Sequence, residues 1–174
     1  ALDSERTIAR LSERGIEAIS APAIEIRPCG EPSLPATCRA LIVTSANAVR
    51  AIADRAELPG LLGIPLYAVG DRTAEAAREA GFSHVRSATG AVGDLISLLC
   101  AEIEPAQGTL VHLSGREVAG DLGGELTSAG YSVERRIVYE TVQADRLPRA
   151  AVTALETGAI DAVLLYSPKS GEFF

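Results

Sequence analysis

A doubly wound α/β fold is what this chain predicts, and three features of its 174 residues carry the prediction. Short, almost uniformly apolar runs recur at Leu41-Ile42-Val43, Leu66-Tyr67-Ala68-Val69, Leu110-Val111-His112-Leu113 and Ala162-Val163-Leu164-Leu165-Tyr166. Uniform apolarity suits parallel strands covered on both faces. A helix-like segment follows each of the four runs at once, as in βαβ units. All four runs end in Ser, Thr or Gly: Thr44-Ser45-Ala46-Asn47, Gly70-Asp71-Arg72-Thr73-Ala74, Ser114-Gly115-Arg116-Glu117 and Ser167-Pro168-Lys169-Ser170. Each tip therefore opens into an expected helix N-terminus, where unpaired N–H groups and a partial positive charge favour anions.

The elements follow in order. Residues 4–14 place Ile8 and Leu11 at helical spacing, and Gly15 stops that helix. Ile16 to Ile26 is apolar and β-branched, broken by Pro22 and ended by Pro28, with a strand expected at 16–20. Gly30 to Pro35 is a linker. A strand at 41–43 feeds a helix over 46–56, and Pro59-Gly60 is a turn. The strand at 66–69 feeds a helix over 71–80, ended by Gly81. A weak strand at 84–86 precedes a helix over 92–103, and residues 105–108 turn. The strand at 110–113 feeds a helix over 117–129, ended by Gly130. Ser132 to Val142 is β-rich but only partly alternating. A helix over 150–156, a stop at Gly158 and a strand over 161–166 complete the chain.

Right-handed crossovers place the C-terminal tips of the parallel strands on one edge, where open α/β sheets bind ligands. The five strands between 41 and 142 make a complete, flavodoxin-like doubly wound domain over residues 29–142. The outer pieces, 1–28 and 143–174, form an incomplete α/β domain around it. Two connecting strands, near Ile24–Pro28 and Ile137–Val142, would run side by side between the two.

Composition narrows the function. A net charge of −7 excludes non-specific nucleic-acid binding and requires any anionic ligand to be held by local features. No apolar stretch is long enough to span a bilayer, and the first residues lack the basic and apolar regions of a signal peptide. The chain reads as cytoplasmic, and its start without Met as a start inside a longer gene product. Cys29, Cys38 and Cys100 lack CxxC spacing, so neither a disulfide nor a zinc site is expected. His84 and His112, on or beside apolar runs, read as packing residues. No turn carries a GxGxxG or GxxxxGK[ST] loop, which argues against nucleotide binding.

The turns resemble those of uroporphyrinogen-III synthases, the enzymes that close the tetrapyrrole ring. Thr44-Ser45-Ala46-Asn47-Ala48-Val49-Arg50 resembles the family's TSANAV segment, and Val69-Gly70-Asp71-Arg72-Thr73-Ala74 its VGxxTA turn. Leu113-Ser114-Gly115-Arg116 is similar to its x-G-R element, and Val138-Tyr139-Glu140 to its VYE. Tyr166-Ser167-Pro168-Lys169-Ser170 is similar to its SPSA-like turn, with Lys169 where a small polar residue is usual. Pro22 and Ile24-Glu25-Ile26-Arg27-Pro28 fit its connector. The order and spacing hold over nearly the whole chain.

The resemblance implies two α/β domains with the active site in the cleft between them. It implies cyclisation of linear hydroxymethylbilane to uroporphyrinogen III, with inversion of ring D and loss of water. No metal, flavin or nicotinamide is implied. Tyr139 becomes the general acid. Thr44, Ser45, Ala46, Asn47, Gly70, Arg72, Thr73, Ala74, Ser114, Gly115, Arg116, Ser167, Pro168, Lys169 and Ser170 become the substrate contacts. Among these, Arg72, Arg116 and Lys169 are the candidates for carboxylate pairing. A monomer is expected, with hydroxymethylbilane synthase, the preceding pathway enzyme, as a partner. Family members also carry a strand before the first helix and further elements after the SPSA-like turn, so the outer domain is expected to be incomplete here.

Each residue also has a structural reading. The hydroxyl residues can simply cap helices, the arginines can lie on solvated faces, and Tyr139 can be a packing aromatic. Two other functions remain open from sequence: a synthase-like regulatory domain that binds a tetrapyrrole or another anion without turnover, and a flavodoxin-like or periplasmic-type small-ligand module.

Overall fold

Six strands form one sheet in the computed structural model, which describes residues 2–166 and 168–174. They are β1 (Ile24–Pro28), β2 (Cys38–Val43), β3 (Leu66–Ala68), β4 (Val85–Ser87), β5 (Thr109–Gly115) and β6 (Ser132–Gln143). The helices are α1 (Leu2–Ser12), α2 (Ala46–Ala53), α3 (Leu58–Leu61), α4 (Asp71–Glu79), α5 (Val92–Glu102), α6 (Leu122–Ser128), α7 (Arg149–Glu156) and α8 (Pro168–Glu172).

The spatial order is β1-β6-β5-β2-β3-β4. The β2–β3, β3–β4, β2–β5 and β5–β6 pairs are parallel. β1 runs against β6: Cys29 N–H donates to Val138 O, and Ala144 N–H to Ala23 O, each at 2.9 Å. Numbered along the chain, the five parallel strands lie in the order 5-4-1-2-3, not the flavodoxin-like 2-1-3-4-5. The third strand decides the difference. Val85-Arg86-Ser87 is half exposed and carries a charge, so it suits an edge, whereas every residue of β5 is buried and demands the position beside β2.

Burial on both faces explains the apolar runs. Leu41, Val43, Leu66, Ala68, Val111 and Leu113 face Val49, Ile52, Leu61, Ala74 and Ala77 of α2, α3 and α4. Ala40, Ile42, Tyr67 and Leu110 face Leu95, Leu99, Leu122 and Leu126 of α5 and α6. The chain leaves β2 toward one face and β5 toward the other. The topological switch point therefore lies between these two central strands, the place where such sheets open a ligand crevice.

Residues Ile26–Thr141 pack as one unit, and residues up to Glu25 pack with those from Val142 onward as another. Within the larger unit, Arg55 clamps the strand ends. Its guanidinium donates to Gly30 O at 2.6 Å, Cys29 O at 2.8 Å and Val138 O at 3.1 Å. Gly30 has φ 59°, and a Cβ there would fall 2.2 Å from Ile137 O, so this corner requires glycine.

Four expectations about single elements change. Residues 16–20 and 161–166 are not strands. Ile16, Ile19, Val163, Leu164, Leu165 and Tyr166 are exposed, and neither segment has a ladder partner among the described residues, without which an apolar run has no reason to become a strand. The helix expected from 117 begins at Leu122, where the Asp121 carboxylate accepts from Gly124 N–H at 2.9 Å. Residues 116–121 are a loop instead. At 58–61 a short helix with Pro59 in its first turn replaces part of the expected turn. No helix of the described residues is long and apolar enough to cross a membrane.

Candidate active site

Strand tips on the C-terminal edge of the sheet supply the site. At the β2 tip, Ser45 is the N-cap of α2, and its Oγ accepts from Asn47 N–H at 3.2 Å. Thr44 Oγ1 lies 3.4 Å from His112 Nε2 on the neighbouring strand. Ala46 packs against the core, and Asn47 Oδ1 accepts from Arg50 at 3.3 Å. At the β3 tip, Gly70 caps α4 with an extended backbone, φ −165°. Thr73 and Ala74 are buried under that helix, so their side chains belong to packing. Arg72 is exposed. Asp71 Oδ1 accepts from Ser87 Oγ at 2.7 Å, tying the β3 tip to the β4 tip.

The β5 tip is built differently. Gly115 pairs with Tyr139 across a β-bulge, in which Ser114 opposes Ile137 and Val138 is the extra residue. Val138 is fully buried in the core, and the Tyr139 ring lies across Gly115. A Cβ at Gly115 would stand 2.6 Å from Tyr139 Cζ and 2.9 Å from its hydroxyl oxygen. The missing side chain is what seats the phenol. Bulges beside functional sites re-aim side chains in this way.

Arg135 fixes the same tip. Its Nε donates to Ser114 Oγ at 2.8 Å, and its Nη2 donates to Gly115 O at 2.6 Å and Arg116 O at 2.7 Å. Ser114 Oγ also donates to Gly115 O at 3.1 Å, and the residue is only 2 % exposed. Its hydroxyl therefore holds the loop. Arg116 N–H donates to Tyr139 O, and Arg116 Nε to Glu140 Oε2, both at 2.9 Å. Burial, with the Arg135 charge second, pushes the His112 imidazole down to about 4, so it stays neutral beside Thr44 at neutral pH.

Between these tips lies a cavity of about 360 Å³. Thr44, Ser45, Ser114, Gly115, Glu117 and Tyr139 supply its polar and backbone lining, and Val69, Gly90 and Val92 bring in the β3 and β4 ends. All of these belong to the 26–141 unit.

The family model described as uroporphyrinogen-III synthase HemD matches residues 5–174. The chain belongs to the uroporphyrinogen-III synthase family. Two solved structures share its fold. A uroporphyrinogen-III synthetase from Helicobacter pylori is 23% identical with a TM-score of 0.59, covering 80% of this chain and 62% of its own. A mutant uroporphyrinogen III synthase from the extremely thermophilic bacterium Thermus thermophilus is 18% identical with a TM-score of 0.58, covering 99% of this chain and 72% of its own. This chain thus spans less than two thirds of the Helicobacter pylori protein. A comparison with curated protein sequences finds no match.

Placed on the structure of this synthase-family chain, the expected contacts divide. Thr44, Ser45, Ser114, Gly115 and Tyr139 line the cavity, whereas Ala46, Asn47, Gly70, Arg72, Thr73, Ala74 and Arg116 do not. Ser167 lies outside the described residues, and Pro168 and Ser170 begin and continue α8 with Lys169 between them, in the other unit. Sequence reasoning missed Arg135, Gly90 and Val92. Arg135 sits four residues before Tyr139 on β6, and Gly90 follows the weakest strand with φ 116°. A basic residue just upstream of the VYE element was the available signal for Arg135.

Proposed function

We propose that this chain carries a uroporphyrinogen-III synthase site, closing linear hydroxymethylbilane to uroporphyrinogen III with inversion of ring D and loss of water. The observation that carries the reading is the Tyr139 phenol seated on Gly115 at a cavity at the switch point of the sheet. Tyr139 is the group there that can give a proton to the departing hydroxyl, a contribution of about 10²–10⁴-fold for a well-placed general acid. Thr44 and Ser45 offer hydroxyls beside the start of α2, each hydrogen bond to a carboxylate contributing about 1.5–3 kcal/mol.

The remaining contacts belong to the same proposal. Arg72, Arg116 and Lys169 pair with carboxylate arms, with Asn47, Gly70, Ser167 and Ser170 beside them. Arg116 must leave or share Glu140 to do so. In this reading residues 29–142 are the inserted domain of a two-domain, monomeric cytoplasmic enzyme. It receives its substrate from hydroxymethylbilane synthase. Because the bilane closes spontaneously without inversion, catalysis is chiefly control of geometry.

The test is chromatography of oxidised porphyrins after the full gene product meets enzymatically generated hydroxymethylbilane. Type III isomer is expected. Only type I, equal to the control without enzyme, would overturn the catalytic reading and leave an anion-binding regulatory domain.

A further inference from the structure

The bulge that aims Tyr139 is held on two flanks. On one, Arg135 ties β6 to the β5 tip through Ser114 Oγ and Gly115 O. On the other stands Arg55, a half-buried residue just past the end of α2. Its Nε donates to Ala51 O at 2.9 Å, its Nη1 to Gly30 O at 2.6 Å, and its Nη2 to Cys29 O at 2.8 Å and Val138 O at 3.1 Å. Every acceptor is a backbone carbonyl, so the planar fork fixes the course of the chain itself.

Val138 is where the clamp acts. As the extra residue of the bulge it has no opposite number on β5. Its carbonyl accepts instead from Cys29 N–H at 2.9 Å and from Arg55, which fills both of its lone pairs. β6 is therefore pinned one peptide before Tyr139. The bond to Ala51 O ties the same guanidinium to α2, the helix whose N-cap Ser45 lines the cavity. One side chain thus sets the spacing between two walls of the site while lying outside the lining itself.

Resting on the cyclase reading, we infer that Arg55 is a positioning residue for the reaction: it holds the Val138 bulge in place relative to α2, and so fixes the Tyr139 phenol against the Thr44–Ser45 wall of the cavity. A displacement of about 1 Å caused by a change away from the chemistry costs about 10²-fold in rate. Because Arg55 lies outside the lining, its loss falls on turnover more than on binding. A lysine in its place keeps the charge, but a point donor cannot hold all these carbonyls at once.

The experiment compares the full gene product with its Arg55→Met and Arg55→Lys variants, each made also in a Tyr139→Phe background. Arg55→Met is expected to lower kcat for type III isomer about ten- to a hundredfold, with KM within about threefold. In the Tyr139→Phe background the same change costs no more than about twofold, because the group it places is gone. Arg55→Lys gives the same pattern at smaller amplitude, and decides the matter if Arg55→Met does not fold. A second readout is independent of turnover. The NMR resonance of the Tyr139 ring in tyrosine-labelled protein, identified by its loss in Tyr139→Phe, moves in both Arg55 variants. Those of Tyr67 and Tyr131, in the core on the other face of the sheet, stay in place. An unchanged kcat, an equal loss in both backgrounds, a stationary Tyr139 resonance, or a shift shared with Tyr67 and Tyr131 would overturn the assignment. Type I product alone from the unmodified protein would overturn the cyclase reading, and the resonance would then still decide whether Arg55 places Tyr139.

Discussion

Two strand tips look alike in sequence and differ in construction. Val69-Gly70-Asp71-Arg72 follows β3 and Leu113-Ser114-Gly115-Arg116 follows β5, each a glycine within two residues of an arginine. At β3 the glycine starts a helix, and what it presents there is backbone alone. Its φ is −165°, which any residue adopts, and an added Cβ would come no closer than 3.4 Å to Gly90 Cα. At β5 the chain runs into a loop, the Tyr139 ring occupies the glycine's empty side, and Arg135 ties down two carbonyls and a hydroxyl. A glycine in a strand tip thus has two physical meanings, one conformational and one steric. Only the second seats the Tyr139 phenol.

The strongest way to break the contrast is Gly115→Ala. The methyl group displaces the Tyr139 ring, and type III formation is expected to fall by about 10²-fold or more, the loss of a placed general acid. Overpacking also costs about 1–3 kcal/mol in urea unfolding. Tyr139→Phe should give a similar fall in kcat with little change in unfolding midpoint, because the ring stays on Gly115. Next comes Arg135→Met, which leaves Gly115 O and Arg116 O without their guanidinium donor. It is expected to cost about 1–2 kcal/mol, discounted for exposure, and to lower kcat by way of a loosened Tyr139 seat. Circular dichroism melts beside initial rates check both halves. Gly70→Ala is the smallest perturbation, with activity within about twofold and stability within about 1 kcal/mol of the parent.

Acid sharpens the same comparison. Ile42 of β2 is flanked by Tyr67 of β3 on one side and His112 of β5 on the other. Burial, helped by the Glu102 carboxylate that its hydroxyl meets at 3.0 Å, pushes Tyr67 up to about 12, so β3 does not titrate in acid. His112 is lowered to about 4 from an ordinary 6.5, so the unfolded chain takes up its proton first. The stability it preserves is fully present above pH 6.5 and is lost as pH falls toward 4. The loss is of order 3 kcal/mol. Urea midpoints at about pH 7 and about pH 4.5 should show it, and His112→Gln should flatten that slope.

Most of the sheet was legible because burial on both faces writes itself as apolar runs. The strand order was not, since it depends on which strand tolerates an edge, and Arg86 marks β4 for that place only once the sheet is assembled. The bulge at Val138 was visible only as broken alternation in Ser132–Val142. The runs at 16–20 and 161–166 carried strand composition without strand partners. At the site, the helix cap at Ser45 was readable from a rule of local chemistry. The Gly115–Tyr139 contact joins residues distant in sequence, so motif resemblance found both residues but not their contact. Arg135 is one of two adjacent arginines ahead of the VYE element, and only the assembled tip shows that it, rather than Arg136, holds the Gly115 loop.

The isomer ratio of product from Gly115→Ala and Gly70→Ala, compared side by side at equal folded fraction, tests the central claim most directly. The account predicts type III porphyrin from Gly70→Ala and the spontaneous type I isomer from Gly115→Ala. Equal type III yield at equal rate from both variants would contradict it.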